Sequence, residues 1–249
     1  LYPGADSISV WGGEDNNPPQ YGKIFIAIKP SQNVNKLTSS EKTLLRDKMR
    51  RLNMLTVRPE IVDADVIEIL VTCNFKFNPR ATTKTASELE TLVRAAIITH
   101  DSTYLSGFDS IFRHSVLATD IDNAESSILS NITTVKLRKT ISPTLGQSKG
   151  YDIEFGDGNK FYNPHLGHNK HGGGITTTTG FKVSGFTDTF FFDDDGEGNL
   201  RRYSLSGSER VYADSQAGTV DYTNGKITVN GVNILETSNT DDTIHFTVI

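Results

Sequence analysis

Cysteine is almost absent from this chain of 249 residues, in which Cys73 is the only one. A single thiol excludes an intramolecular disulfide and a cluster of thiolate ligands around a metal. Cys73 lies in a run of alternating apolar residues, so we predict that its side chain is a small buried hydrophobic group.

Long apolar runs are missing as well. No stretch of about 18 apolar residues occurs, so no segment is expected to span a membrane as a helix. The chain begins at Leu1 without a signal-peptide pattern, and its last five residues, HFTVI, resemble a strand that has been cut short. These ends predict a fragment of a longer protein, truncated at its C-terminal end.

Patterns typical of catalysis and cofactor binding are also lacking. No Gly-rich loop has the spacing of a dinucleotide- or phosphate-binding loop. His100, Asp101 and Ser102 have the residue types of a catalytic triad, but consecutive residues cannot face one another in triad geometry. We therefore predict no catalytic residues, no cofactor and no enzyme activity. A hydrolase site assembled from distant residues stays open as an alternative.

The formal net charge is only −5, but the charges are unevenly distributed. Residues 38–142 carry 14 basic and 13 acidic residues, whereas residues 143–249 carry 8 basic and 14 acidic ones. An acidic second half argues against a phosphate-binding surface there, and we expect no nucleic acid partner. A short basic run in the first predicted helix is interpreted as a solvated face or a protein contact. It consists of Arg46, Lys48, Arg50 and Arg51.

Two polar segments contain residue types that bind metals. His165, His168 and His171 are spaced three apart, but Pro164 before them and Gly167 between the first two argue against a helix that would bring the imidazoles together. We predict an exposed polar loop there and no metal site. Weak metal binding by the three histidines stays open.

The second polar segment is residues 193–200, DDDGEGNL, which partly matches a calcium-binding loop. Ser204 occupies the position where such a loop needs a bidentate Glu, and no helices are predicted to flank it. We predict a charged hairpin turn whose acids Arg201 and Arg202 could neutralise. Weak cation binding at Asp193 and Asp195 stays open.

The first 142 residues alternate between strand and helix patterns. Residues 1–37 are predicted to be loop-rich and to contain a first strand at 24–28. A capping box at 38–41 precedes apolar residues at helical spacing, which predicts a helix over 39–53. A short strand or turn is predicted near 57–62. The apolar residues of the helix are Leu44, Leu45, Met49 and Leu52.

The clearest periodicity of the chain follows, because apolar and polar residues alternate between positions 67 and 77. This predicts a long strand with one face buried under the helices at 39–53 and 86–99. The predicted buried residues are Ile67, Ile69, Val71, Cys73, Phe75 and Phe77.

A second capping box at 85–88 predicts the helix over 86–99. A shorter helix is predicted to hold Phe108, Ile111 and Phe112, and a strand is predicted at 132–137. The order predicts an α+β fold, a split β-α-β antiparallel sheet with helices on one face, and a ferredoxin-like domain over residues 38–142.

Residues 143–249 lose the helical pattern, and we predict an all-β domain of short strands there. Turn signals occur at Asp157-Gly158, Asn224-Gly225 and Asn230-Gly231. The last two predict a meander over residues 219–235.

Three segments resemble one known family. Residues 10–30, VWGGEDNNPPQYGKIFIAIKP, form a polar loop rich in Gly and Pro that leads into an apolar strand. Residues 56–65, TVRPEIVDAD, precede the long strand, and residues 217–222, AGTVDY, precede a tight turn. These segments resemble the baseplate wedge proteins of T-even-type contractile-tail phages, the ring-forming hinge-pin subunits with a baseplate J-like part.

The resemblance implies a structural subunit of the virion tail baseplate, assembled in the host cytoplasm. It implies a homodimer that builds a ring around the tail hub and binds other wedge proteins. The first loop offers interface candidates, because exposed aromatic residues dominate interface energetics. They are Trp11, Pro18, Pro19 and Tyr21, although Trp11 packed on its own domain stays open. The alternative is a receptor- or glycan-binding virion module that uses the β-rich domain.

Overall fold

The computed structural model of this protein describes residues 4–16, 18–30, 37–50, 57–155 and 176–249. Its described part contains three α-helices and thirteen strands, so the fold is mixed α+β as predicted. The chain divides into two compact units. Leu1–Val66 and Cys73–Thr133 form the first, and Ile67–Thr72 and Thr134–Ile249 form the second. The predicted domain limits at 37/38 and 142/143 stay a prediction.

A three-stranded sheet organises the first unit. Its strands are β1, Ala5–Gly12; β2, Lys23–Pro30; and β3, Arg58–Val62. Strand β2 pairs antiparallel with β1 and parallel with β3. This agrees with the strand predicted at 24–28 and with the strand or turn predicted near 57–62, and it adds β1, which was not predicted.

Helix α1, Ser39–Arg50, connects β2 to β3 and packs on one face of this sheet. Its capping box is formed as predicted: the Thr38 backbone N–H donates to Glu41 Oε2 at 2.9 Å, and the Glu41 N–H donates to Thr38 Oγ1 at 3.3 Å. Leu45 is buried against Ile26 and Ile28, whereas Leu44 is exposed. Residues 51–56, with Leu52 and Arg51, lie outside the described residues.

Helix α2 spans Ala86–Tyr104 and helix α3 spans His114–Asp122. The capping box of α2 is formed by Thr85 and Glu88, and the helix continues five residues beyond the predicted end. The short helix predicted around Phe108, Ile111 and Phe112 is wrong, because this segment has no helical structure and α3 begins after it.

The segment between α2 and α3 bonds to the three-stranded sheet instead of coiling into a helix. Lys29 Nζ donates to the carbonyls of Leu105 and Ser106, and the Phe108 backbone N–H donates to Ser7 Oγ at 3.3 Å. These bonds hold an irregular backbone, in which Asp109 has a φ of 58°.

The predicted long strand is β4, Glu68–Phe77, which pairs with β5, Ile128–Ile141. The alternation is confirmed over residues 71–77, where Thr72, Asn74 and Lys76 are exposed and their neighbours are covered; it does not hold over residues 67–71, where Glu68 is half-buried like Ile67 and Ile69. The degree of burial was overestimated, because the covered face is only half-buried. The half-buried residues are Ile67, Ile69, Val71, Cys73, Phe75 and Phe77.

The predicted four-stranded sheet is divided between two sheets. Strands β2 and β3 belong to the sheet of β1, whereas β4 and β5 end a larger sheet. The physical reason lies in the connection of β2 to β3 through α1, because a strand-helix-strand crossover makes its two strands parallel neighbours. Hydrophobic spacing defined the elements but not their partners.

The second unit is built of strands throughout its described part. They are β6, Ser148–Glu154; β7, Thr176–Thr178; β8, Phe181–Val183; β9, Thr189–Asp194; β10, Asn199–Ser206; β11, Glu209–Asp221; β12, Lys226–Thr237; and β13, Ile244–Val248. Strands β11 and β12 have 13 and 12 residues, so the prediction of short strands holds only in part. Large aromatic side chains fill the core; they include Phe155, Phe181, Phe190, Phe192 and Phe246.

Five of these strands close into a barrel. Strands β8 to β12 pair in succession, and β12 pairs back onto β8. Every pair is antiparallel, and directions cannot alternate around a ring with an odd number of strands, so at least one strand must bend. Strand β12 changes partner along its length: residues 226–229 pair with β11 and residues 234–237 pair with β8.

The turn signals had different outcomes. Asn224-Gly225 lies in the hairpin between β11 and β12, as predicted, with Gly225 at a φ of 66°. Asn230-Gly231 forms no turn; it lies inside β12, where the register against β6 shifts between Val229 and Val232. Asp157-Gly158 lies outside the described residues.

Candidate functional site

Trp11 at the end of β1 packs on its own unit. Its ring stacks on Phe25 of β2 with centroids 5.9 Å apart, and its indole Nε1 donates to Asn16 Oδ1 at 2.9 Å. These contacts use both the apolar face and the single donor of the indole. Trp11 therefore fixes the loop that follows it.

The other three interface candidates lie on that loop, between β1 and β2. Pro18 and Pro19 are exposed, and Tyr21 is 81% exposed. The loop is closed behind them, because the Gln20 N–H donates to the Gly13 carbonyl at 2.6 Å. A Cβ at Gly13 would lie 1.9 Å from the Gln20 carbonyl oxygen, so only glycine fits there. The prolines and Tyr21 are presented to solvent on a closed loop.

Strand β1 carries two exposed apolar side chains that sequence reasoning missed. Ile8 is 54% and Val10 is 60% exposed, on an edge strand of the three-stranded sheet. The sequence signal was the alternation of residues 5–12, ADSISVWG, which is typical of a strand with two different faces.

The acidic segment at 193–199 is a hairpin turn between β9 and β10, as predicted. Its first acid is not at the tip, because Asp193 belongs to β9 and its side chain is fully buried. Asp193 accepts from Arg201 Nε at 3.0 Å, from Arg210 Nη1 at 2.6 Å and from the Tyr212 hydroxyl at 3.0 Å. Arg201 neutralises the acid as predicted; Arg210, and not Arg202, is the second cation.

The next two acids also bond within the protein. Asp194 is fully buried and accepts from the Thr176 N–H at 2.7 Å and from the Tyr222 hydroxyl. Burial and this bond to Asp194 raise the pKa of Tyr222. Burial alone would raise the pKa of Asp195, but hydrogen bonds from Asn199 and from the Glu197 N–H outweigh it and lower the pKa. The hydrogen bonds of Asp193, Asp194 and Asp195 thus hold together the turn at 193–199 and the strands around it.

An aromatic and cationic face runs across β9, β10 and β11. Tyr203 stacks on Phe191 with centroids 5.6 Å apart and contacts Tyr212 at 5.8 Å. The guanidinium carbon of Arg201 lies 4.4 Å from the Tyr212 ring centroid, and that of Arg210 lies 4.8 Å from the Tyr203 ring. Tyrosine and arginine side chains held in this way are typical of protein interfaces.

His100 takes part in a pair that the sequence did not reveal. It is 3% exposed, and its Nδ1 lies 2.7 Å from Asp120 Oδ2, which joins α2 to α3. Its ring contacts Tyr104 at 4.9 Å. Asp101 and Ser102 do not join it, since Ser102 Oγ donates to the Thr99 carbonyl. The pair thus connects the two helices through their side chains.

Cys73 is half-buried and lines an open cleft of about 450 Å³ between β4 and the start of α2. Within the described ranges, no group of three or more His, Cys, Asp or Glu side chains is arranged to hold a metal ion. His165, His168 and His171 lie outside those ranges. Among the described helices, none is long and apolar enough to cross a membrane.

Comparison with known families gives two matches. The model of the baseplate structural protein gp6, C-terminal domain I, matches residues 1–62. The model of C-terminal domain III of the same protein matches residues 67–140. Together the matches cover more than half of the chain. A search of curated proteins found no match.

An α+β chain with open sheet edges and exposed aromatic side chains, matched in this way, is a structural protein of a virion. The chain belongs to the family of the baseplate structural protein gp6, and it is a structural subunit of the tail baseplate. This confirms the resemblance of residues 10–30 and 56–65. Residues 217–222 lie beyond both matches.

Proposed function

We propose that this chain is part of a baseplate wedge subunit that forms homodimers, and that these dimers build a ring around the tail hub. The two family matches, over residues 1–62 and 67–140, carry this proposal. The subunit also binds other wedge proteins, and the baseplate is assembled in the host cytoplasm. The subunit acts through the geometry of its contacts with other subunits and does not convert a substrate.

The exposed loop between β1 and β2 supports a role in assembly. Pro18, Pro19 and Tyr21 project from a loop closed by the Gly13–Gln20 bond, so they contact a partner with little loss of backbone freedom. Trp11 stacks on Phe25 and so holds this loop in position on the sheet. Of the four candidates, Pro18, Pro19 and Tyr21 therefore contact the partner, and Trp11 positions the loop that carries them.

Sedimentation velocity of the purified chain tests the homodimer. We expect a mass twice the 27.4 kDa of one chain, with or without a chelator, because the interface is apolar and needs no metal. A stable pair should bury about 1,200 Å² or more in total. A chain that stays monomeric at high concentration, or a dimer that EDTA dissociates, contradicts this proposal.

A second function, binding of a receptor or glycan, is favoured by one observation. The partly exposed Arg201 and Arg210 lie over the Tyr212 and Tyr203 rings on the neighbouring strands β10 and β11. Aromatic rings and fixed guanidinium groups are suited to sugars with a carboxylate. Glycan-array binding that Tyr212→Ala abolishes would establish this function; an array without signal contradicts it.

A further inference from the structure

We propose that β1 pairs antiparallel with β1 of a second copy of this chain, about a two-fold axis at Ser9. This inference rests on the proposed homodimer and names its surface. Two three-stranded sheets joined in this way form one continuous six-stranded sheet. The pairing is isologous, since the same eight residues are used on both copies.

The outer side of β1 is an open sheet edge. The sheet order is β1-β2-β3, and no described strand lies on the other side of β1. An unpaired edge is a template for another strand, and proteins usually protect it with Lys, Pro or inward charges. The opposite edge, β3, follows this rule with Arg58, Pro59 and Glu60. Strand β1 contains neither Lys nor Pro, and Asp6 is its only charge.

The exposed side chains of β1 extend the apolar core of the first unit. Ile8 lies opposite Ile28, and Val10 lies opposite Ile26, across the antiparallel pair. Ile26 and Ile28 are buried, with Leu37 and Leu45 packed against them. Because residues directly opposite one another share a face, Ile8 and Val10 continue this buried face to the edge of the sheet. A second β1 would cover them.

The pattern of apolar and charged residues in β1 favours a two-fold axis at Ser9 over an axis at Ile8 or Val10. With this axis, Ile8 lies opposite Val10 of the second copy, and the charged Asp6 lies opposite Gly12. An axis at Ile8 would place Asp6 opposite Val10. An axis at Val10 would place Asp6 opposite Glu14, and like charges directly opposite are destabilising. Of these three axes, only the one at Ser9 joins Ile8 to Val10 and places Asp6 opposite neither an apolar side chain nor an acid.

Disulfide trapping tests the register. Cys73 is the only cysteine, so Cys73→Ser gives a background in which Ser9→Cys introduces a single thiol. Ser9 lies on the axis, where opposite Cα atoms are about 4.5–5.5 Å apart, within the range for a disulfide. The matched control is Ser7→Cys, because its symmetry mate lies four residues away, roughly 13 Å along the strand.

We expect the Ser9→Cys chain to form a covalent dimer on mild oxidation, while the Ser7→Cys chain stays largely monomeric in denaturing gels. Equal cross-linking of both variants overturns the Ser9 axis. Failure of Ser9→Cys to cross-link, while the unmodified chain sediments as a dimer, overturns pairing through β1 and leaves the homodimer standing.

Val10→Lys provides a second test that does not depend on oxidation. Val10 is 60% exposed, so the monomer tolerates Lys, but the charge blocks strand pairing, and the dimer dissociation constant should rise about tenfold or more. The control is Val211→Lys, at an apolar β11 residue that is 51% exposed. Equal dimer affinity of Val10→Lys and the unmodified chain overturns the inference. A monomeric unmodified chain overturns it together with the homodimer.

Discussion

At the scale of single residues, the charge of Asp193 joins the barrel strands β9, β10 and β11. Its buried carboxylate accepts from Arg201, Arg210 and Tyr212. Removing one member of a buried ion pair leaves the other charges without compensation, and so Asp193→Ala should lower the free energy of unfolding by about 3–5 kcal/mol. Urea denaturation measures the change. Asp188→Ala, at an exposed carboxylate, is the control and should differ from the unmodified chain by less than about 0.5 kcal/mol.

Asp195 gives the barrel a pH dependence. Because its folded pKa lies below the ordinary value of 3.8, its hydrogen bonds are fully present above that pH and are lost as the pH falls through the folded pKa. Asp195→Ala should therefore cost about 1–3 kcal/mol at neutral pH, where the carboxylate accepts from Asn199 and Glu197. In strong acid the difference from the unmodified chain should shrink. A difference that is constant across acid and neutral titrations contradicts this assignment.

At the residue scale, the sequence predicted the turn at 193–199 but not the burial of its first acid. The hairpin at 193–199 followed from Gly and Asp residues next to one another, which is a local property. The burial of Asp193 did not follow, because Arg210 is 17 residues away and reaches it only across two strand pairings. The His100–Asp120 pair was hidden for the same reason, since 20 residues separate its members.

At the scale of elements, helix α2 depends on its first turn. Thr85 Oγ1 accepts from the Glu88 N–H at 3.3 Å, and Glu88 Oε2 accepts from the Thr85 N–H at 2.7 Å. Thr85→Ala should lower the free energy of unfolding by about 0.5–2 kcal/mol. Thr91→Ala removes a hydroxyl of the same helix that bonds only to the Ser87 carbonyl, and should be neutral or slightly stabilising. Equal losses for the two variants would contradict a special role of the cap.

The pairing of β11 with β12 requires glycine at position 218. A Cβ there would lie 2.0 Å from the Thr228 carbonyl oxygen, which belongs to backbone and cannot turn aside. Gly218→Ala should destabilise the protein by about 1–3 kcal/mol through forced strand separation. Gly231→Ala is the matched control in β12, because its new methyl would meet only the Ser148 hydroxyl, at 3.3 Å. A thermal shift for Gly218→Ala no larger than that of the control would refute this.

Elements with local signals were predicted well. Capping boxes located the starts of α1 and α2 to the residue, and alternation located β4. Asn230-Gly231 misled because the dipeptide suits both a turn and a bulge, and only the pairing of β12 with β6 decides between them. The irregular segment around Phe108 was mistaken for a helix because its backbone hydrogen bonds to Lys29 and Ser7 are long-range and leave no mark in the local apolar spacing.

At the scale of the whole molecule, strand position should determine hydrogen exchange. Strand β12 pairs with β11, β8 and β6, and Ile227 and Ile234 are buried in the core, so their amides should exchange among the slowest. Amides on the outer side of β1 should exchange quickly at low protein concentration. At high concentration they should become protected if copies pair through this strand. Mass spectrometry at two concentrations measures both effects, and β1 protection independent of concentration would contradict pairing between copies.

The mixed α+β fold class and the baseplate family followed from the sequence, whereas the topology did not. Composition and hairpin signals separated an α+β half from a β-rich half, and residues 10–30 and 56–65 led to the family. Strands β2 and β3 lie in one sheet and β4 and β5 in another. This depends on pairing between distant residues, which the hydrophobic periodicity of the sequence does not reveal. The β1 edge was identified only from the strand order β1-β2-β3 among the described residues.

Closure of the five-stranded barrel has a consequence for synthesis of the chain. The last pairing of the ring joins Phe181 of β8 to Thr237 of β12, which are separated by more than fifty residues. A nascent chain therefore exposes β8 as an open edge until Thr237 has left the ribosome, because β8 pairs with residues 234–237 at the end of β12. Distant pairings of this kind slow folding and prolong the exposure of apolar strands. The ring of the barrel thus closes late in synthesis, after residues 234–237 of β12 have been made.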